Sequence, residues 1–299
     1  MDLLSNDQLS GIWLPLNTPF IHGALDASSL ARLVAHYLSQ RIDGLIVAAT
    51  TGEGLVLDDA ETEQVVAVAA EVTARRIPLF LGLCGSDTRR LVRRLAATDA
   101  WPVDGYLITC PYYSRPSQEG MYQHFAALAD ATDKPILIYN IPYRTGVNLG
   151  NDTLLRLAER TNIVGVKDCC ADAVQSTDLL RRRRPEFAVL TGEDALFYDA
   201  VAHGADGGIL ASAHVDVPAF AAVRDAVLDE RSADALVQWG PLLHVVRLLF
   251  AEPNPAPIKH LLWRRGLIAS PELRLPMTGI STSLADHLDR LLLPQEAAD

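Results

Sequence analysis

Lys167 closes an apolar run, Ile163-Val164-Gly165-Val166, and Tyr139 closes another, Ile136-Leu137-Ile138. A lysine at the end of a buried strand loses its proton at low cost, because an apolar wall disfavours the ammonium form. The neutral amine attacks ketones and forms Schiff bases with them. A tyrosine at the matching end of the preceding strand could carry the proton transfers this chemistry requires. Taken singly, each residue also has an ordinary role, since most strand-end lysines only extend their ammonium into water. The surrounding chain decides between the two readings.

Eight short β-rich apolar runs, at 12–16, 44–48, 78–83, 105–109, 135–140, 163–167, 187–191 and 207–211, alternate with helix-like stretches. They are continuous rather than alternating, the pattern of parallel strands covered on both faces. Between them, Leu30, Leu33, Val34, Tyr37 and Leu38 share one helical face, and Asp58 with Glu61 forms a capping-box start. Eight such alternations predict an α/β fold, a closed TIM (β/α)8 barrel. An open doubly wound sheet shares the same local pattern and is the structural rival. From Val217 the rhythm stops, and 233–249, 258–265 and 283–292 read as helices. The expected division is a catalytic barrel over 1–230 and a helical extension over 231–299 that packs on it.

In a barrel of this kind the reactive residues collect at the C-terminal ends of the strands. After the second run come Thr50, Thr51 and a glycine turn, whose hydroxyls and amides suit a small carboxylate. After the fourth come Tyr112 and Tyr113, and after the fifth Arg144, a planar fork for a carboxylate. Lys167-Asp168 follows the sixth, and Thr191-Gly192-Glu193-Asp194 the seventh. Each string alone reads equally well as a turn or as packing. Together they suit a 2-oxo acid: an amine for its ketone, donors for its carboxylate, phenols to move protons.

Other chemistries find less support. The formal net charge of −11 over 299 residues argues against nucleic acid or an anionic membrane as partner. The basic cluster from Arg181 to Arg184 reads as the solvated end of a helix. The first residues show no secretion signal, and no apolar run approaches the ~18 residues that span a bilayer. Four cysteines without a C-x-x-C pair point to a reduced, cytoplasmic chain with no thiolate metal site. The eight histidines have no metal-ligand spacing. No H-E-x-x-H, G-x-S-x-G or Walker string occurs, and 203–208 reads as the tight turn into the last strand.

The strings ATTGE, PYYSRPSQEGMYQHF, YNIPYRTG, VGVKD, TGED, FAEPNPAPIKHLL and RLPMT resemble the dihydrodipicolinate synthase / N-acetylneuraminate lyase family of class I aldolases, in the expected order from Gly11 to about Ile280. The resemblance implies a homotetramer of TIM barrels, pyruvate as Schiff-base partner, and no metal or organic cofactor. The Tyr-Tyr-x-Arg-Pro loop and the Arg-Thr-Gly after Tyr143 resemble the synthase branch, whose members condense pyruvate with L-aspartate 4-semialdehyde. By matched motif, Lys167 is the expected Schiff-base amine. Tyr139, Thr50 and Tyr113 form the expected proton relay, with Tyr113 supplied by a neighbouring subunit. Thr51 is expected to hold the pyruvate carboxylate, Arg144 the carboxylate of the aldehyde, and Gly192 and Ile209 to line the pocket.

The sequence departs from the usual pattern at Ala49, at Asp168-Cys169-Cys170 and at Tyr143, which is expected to add bulk beside the second substrate. These departures leave open another aldolase or lyase of the family, acting on a sugar acid, sialic acid or an aromatic aldehyde. A catalytically idle, ligand-binding barrel is the reading from a different class. Asp59 and Arg90 stand where lysine-inhibited members carry a histidine and a glutamate. Arg90 would repel the effector's ammonium, so weak or absent lysine inhibition is expected.

Overall fold

The computed structural model describes residues 6–292. Eight parallel strands close into one barrel: β1 (Gly11–Pro15), β2 (Gly44–Val47), β3 (Leu79–Leu83), β4 (Gly105–Thr109), β5 (Ile136–Asn140), β6 (Ile163–Asp168), β7 (Ala188–Thr191) and β8 (Gly207–Ile209). β1 pairs with both β2 and β8. Closure excludes the open sheet, and all eight sequence-predicted runs are strands, displaced by no more than a residue or two at their ends. A two-stranded ribbon, Phe20–Ile21 with Ala24–Leu25, follows β1.

The barrel interior is filled by Trp13, Ile46, Phe80, Leu107, Leu137, Val164, Leu190 and Ile209 among others. Trp13 and Phe80 meet edge to face, 5.1 Å between centroids. Two strand-start glycines make room for them. A Cβ on Gly44 would stand 2.3 Å from the Trp13 ring, and one on Gly105 2.4 Å from Phe80. The alternate side chains, Ile12, Leu14, Leu45, Val47 and Ile108 among them, face the helices in a second apolar layer. Burial on both faces explains why the strands read as unbroken apolar runs.

The helices between strands are α1 (Ala27–Leu38), α2 (Asp59–Thr73), α3 (Thr88–Thr98), α4 (Gln118–Ala129), the single turn α5 (Pro142–Thr145), α6 (Asn151–Leu157), α7 (Ala173–Arg182) and α8 (Phe197–Ala202), with α9 (Val217–Leu228) after β8. The Asp58–Glu61 capping box is present at the start of α2. The basic cluster is only partly solvated. Arg181 and Arg182 end α7, whereas Arg183 pairs with Asp206 and Arg184 donates to the Ala158 carbonyl.

Three further helices, α10 (Ser232–Leu249), α11 (Ala256–Arg264) and α12 (Thr282–Leu292), complete the chain. Phe197, Phe220 and Trp239 stack α8, α9 and α10 together, with centroids 5.6 to 6.1 Å apart. Lys259 on α11 reaches the loop after β2 and pairs with Glu53 at 2.5 Å, both side chains out of water. Glu53 also accepts the Arg274 amide at 3.1 Å. A buried pair contributes little net energy, but removing one partner strands the other charge at a cost of about 3–5 kcal/mol. Urea denaturation of K259M is therefore expected to show a loss of that order. The double variant K259M/E53Q should recover part of it. A K259M protein as stable as the parent would contradict this role for the pair.

Candidate active site

Lys167 and Tyr139 are direct neighbours across β5 and β6. An irregularity between Ile136 and Leu137 sets the register that aligns them. Both are buried, and the Lys167 Nζ stands 4.4 Å from the centre of the Tyr139 ring. The chain has only three lysines. Lys134 Nζ donates to the Trp101 carbonyl at 3.0 Å, and Lys259 pairs with Glu53. Among the described residues, Lys167 alone of the three has neither a hydrogen bond nor an ion pair at Nζ. Burial holds its amine below the usual lysine value, and the positive Arg144 pushes the same way. Asp194 and Glu193 oppose the shift without reversing it. Burial also pushes the Tyr139 phenol well above its ordinary value, so it stays protonated.

Gly192 gives Lys167 its path. A Cβ there would lie 2.2 Å from Lys167 Cε and 2.6 Å from Cys169 Sγ, while the Gly192 amide donates to the Asp168 carbonyl at 2.8 Å. Asp168 points to the opposite face, where Ser176 and the Cys170 amide hold its carboxylate. Ile209 closes the inner cluster beside Tyr139 and Cys169.

The loop after β2 folds back on its strand. Gly54 donates to the Ala49 carbonyl at 3.1 Å, and a Cβ on Gly54 would lie 1.8 Å from the Ala48 carbonyl oxygen. Ala48 and Glu53 adopt positive φ of 53° and 51°, backbone strain of the kind that accumulates at functional sites. Thr50, Ala48 and Ala49 line a cavity of about 170 Å³ together with Arg144 and Asn254. Thr51 is buried and accepts from Asn254 Nδ2 at 3.0 Å.

Arg144 sits in α5. The Asn140 side chain fixes the following segment, bonding to Asn148 and to the Leu149 amide. Thr145 caps the turn through Ile141 and Val147. Tyr143 does not fill the cavity. It is 62% exposed, with its ring 5.5 Å from the Arg144 guanidinium. Tyr113 is 95% exposed at φ 69° and lines a different groove with Asp59, Arg90 and Tyr112. Within one chain, then, Lys167, Tyr139, Gly192 and Ile209 come together. Thr50 and Arg144 line a cavity whose Asn254 is bonded to Thr51, and Tyr113 stands outside both groups.

Sequence reasoning assigned no role to four further groups. Asp194 is buried, raised by that burial, and accepts from the Ser212 amide and hydroxyl at 2.6 and 2.5 Å. Glu193 is likewise raised by burial, with Asp194 beside it. Asn254 and Cys169 complete the set. The strings that hold these residues were legible, but their partners lie far along the chain. Among the described residues no group of three or more His, Cys, Asp or Glu could hold a metal ion.

The sequence matches the profile described as the dihydrodipicolinate synthetase family over residues 8–295. The chain belongs to that family. It is 41% identical over 285 residues to 4-hydroxy-tetrahydrodipicolinate synthase 2 of Clostridium acetobutylicum, covering 95% of this chain and 100% of the relative. Its fold overlays a monomeric dihydrodipicolinate synthase variant with a TM-score of 0.92, at 30% identity over 96% of this chain and 97% of that one. It overlays the chloride-inhibited dihydrodipicolinate synthase of Acinetobacter baumannii, solved with pyruvate, at 0.91 and 33% identity, over 95% and 97%. Family members are lyases of the class I aldolase type, and this chain is an enzyme of that kind.

Two variants probe the site. G192A is expected to displace the Lys167 chain, and a misplacement of about 1 Å costs on the order of 100-fold in rate. Parent-like turnover by folded G192A would contradict the close packing of Gly192 on Lys167. R144Q removes a positive charge, which lets Lys167 hold its proton to higher pH. The acid limb of kcat/KM for the keto substrate, which reports the free enzyme, should move upward in pH. An unmoved limb would show that Arg144 has no electrostatic hold on the amine.

Proposed function

We propose that this protein is a 4-hydroxy-tetrahydrodipicolinate synthase, joining pyruvate to L-aspartate 4-semialdehyde on the route to diaminopimelate and lysine. One observation carries the reading: an unpaired lysine amine, held below its usual pKa, lies against a protonated phenol in a dry barrel mouth. Its near relatives of that name and the pyruvate complex of a structural neighbour support the substrate class.

The neutral Lys167 Nζ adds to the keto carbon of pyruvate, giving a carbinolamine. The Tyr139 phenol gives a proton to the departing hydroxyl, water leaves, and an iminium remains. The iminium draws electrons from the adjacent methyl carbon, which gives a proton back to the Tyr139 phenolate and becomes the enamine carbon. That carbon attacks the aldehyde, and the new alkoxide is protonated through Tyr139 and Thr50. The amine of the second substrate then displaces Lys167 from the imine carbon and closes the ring. Thr51 and neighbouring amides hold the pyruvate carboxylate, and Arg144 holds the carboxylate of the aldehyde. Gly192 and Ile209 shape the pocket wall.

Tyr113 completes the relay only when contributed by another subunit, so the reading includes a homotetramer built as a dimer of dimers. Its near-total exposure in the single chain supports that role. The proposed division is a catalytic barrel over 1–230 and an extension over 231–299, whose Asn254 and Lys259 brace the loop after β2. No helix among the described residues is long and apolar enough to cross a membrane. The four cysteines are unpaired, in keeping with work in a reducing cytoplasm.

Borohydride added with pyruvate, followed by peptide mass analysis, should trap the keto acid on Lys167 and on neither Lys134 nor Lys259. A pyruvate-coupled screen should then favour aspartate semialdehyde over sugar-derived aldehydes. Absence of the adduct would favour an idle barrel, and preference for an aldehyde without a carboxylate would overturn the role of Arg144.

A further inference from the structure

Asn254 stands in the turn between α10 and α11, and its side chain reaches back to the loop after β2. Its Nδ2 donates to Thr51 Oγ1 at 3.0 Å, a buried bond between residues 203 positions apart. Among the described residues this is the only hydrogen bond at the Thr51 hydroxyl. The other end of the amide, Oδ1, is buried without a partner. Asn254 also lines the cavity that Thr50 and Arg144 share. The loop is already fastened nearby, since Lys259 and the Arg274 amide both bind Glu53, two residues beyond Thr51. A further brace alone does not call for an amide, because burying one with an unpaired end is costly and an apolar contact would serve.

We propose that Asn254 is a positioning residue: by donating to Thr51 Oγ1 it leaves the Thr51 hydroxyl its own hydrogen and turns that hydrogen toward the carboxylate of the keto acid. The inference rests on the pyruvate reading of this site and on the contact of Thr51 with the carboxylate. A hydroxyl can give one hydrogen or receive through its lone pairs, and a rotating one does either. An amide nitrogen only gives, so it fixes Thr51 Oγ1 as the acceptor on that side. The hydroxyl hydrogen then points away from the amide. An ionised carboxylate only accepts and requires that donor. Donation from amide to hydroxyl to carboxylate also polarises each bond in favour of the next. The carboxylate keeps its charge from the bound substrate to the transition state, so its contacts govern binding more than turnover.

Steady-state kinetics of N254A, N254D, T51V and N254A/T51V, with pyruvate varied, test this. Borohydride trapping on Lys167 in the parent decides the pyruvate reading by itself, whatever the variants do. N254A is expected to raise KM for pyruvate about fivefold, the worth of one hydrogen bond, with kcat within about twofold of the parent. N254D keeps the size of the side chain and a bond to Thr51 but reverses its direction, since the carboxylate takes the Thr51 hydrogen. It should raise KM more than N254A does, whereas a mere brace would make N254D the milder variant. T51V should raise KM at least as far as N254A, and adding N254A to it should change KM no further. Parent-like KM in N254A or in T51V would overturn the proposal. So would an N254D milder than N254A, full additivity in the double variant, or a loss confined to kcat. Should N254A not fold, N254D decides alone: a KM raised more than about fivefold supports the role, and a smaller rise overturns it.

Discussion

An amine without a partner, kept out of water, is the constraint on which the site depends. Burial penalises the ammonium form, and nothing nearby offers Lys167 the hydrogen bond or ion pair that would repay it. The other two lysines show the contrast. Lys134 is tied to a carbonyl and Lys259 to a carboxylate, and both serve structure. The nucleophile is therefore made by what is absent around it among the described residues: no hydrogen bond or ion pair at Nζ, no side chain on Gly192, and little access for solvent.

The charges near Lys167 are arranged in keeping with this. Arg144 helps to deprotonate the amine, and two carboxyl groups work against it. Both carboxyls are themselves raised by burial, so each bears its negative charge less readily. The nearer of these constraints is geometric, since Ser212 holds the Asp194 carboxylate with two hydrogen bonds. A free carboxylate in contact with Nζ would instead fix it as ammonium. Loop geometry contributes at the same place. Glu53, one of the positive-φ residues of this loop, is held by Lys259 and Arg274 from the far end of the chain, so the C-terminal segment braces the site together with the strands.

The fold was legible because its rules are local. Eight unbroken apolar runs with helical spacing between them lead to a parallel barrel, and Asp58 with Glu61 marks one helix start by spacing alone. Lys167 and Tyr139 could be picked out because each ends a strand. Their alignment depends on the register between β5 and β6, which no local pattern encodes. The contacts of Thr51 with Asn254 and of Glu53 with Lys259 span about two hundred residues and leave no periodic trace. Gly192 was expected to line the pocket, and the space left by its missing side chain is taken up by Lys167 and Cys169. Tyr143 lays its ring along the Arg144 guanidinium, a contact that residue type alone does not reveal. Both contacts depend on side-chain direction, which residue type does not fix.

With three lysines in the chain, the side-chain amines can be followed individually by nitrogen NMR, with K167R assigning the resonance that matters. Titrating the substrate-free protein reads the Lys167 amine directly. The expected midpoint is clearly below the ~10.4 of an ordinary lysine. A Lys167 that remains an ammonium ion up to that value would contradict the unpaired, desolvated amine on which the chemistry depends.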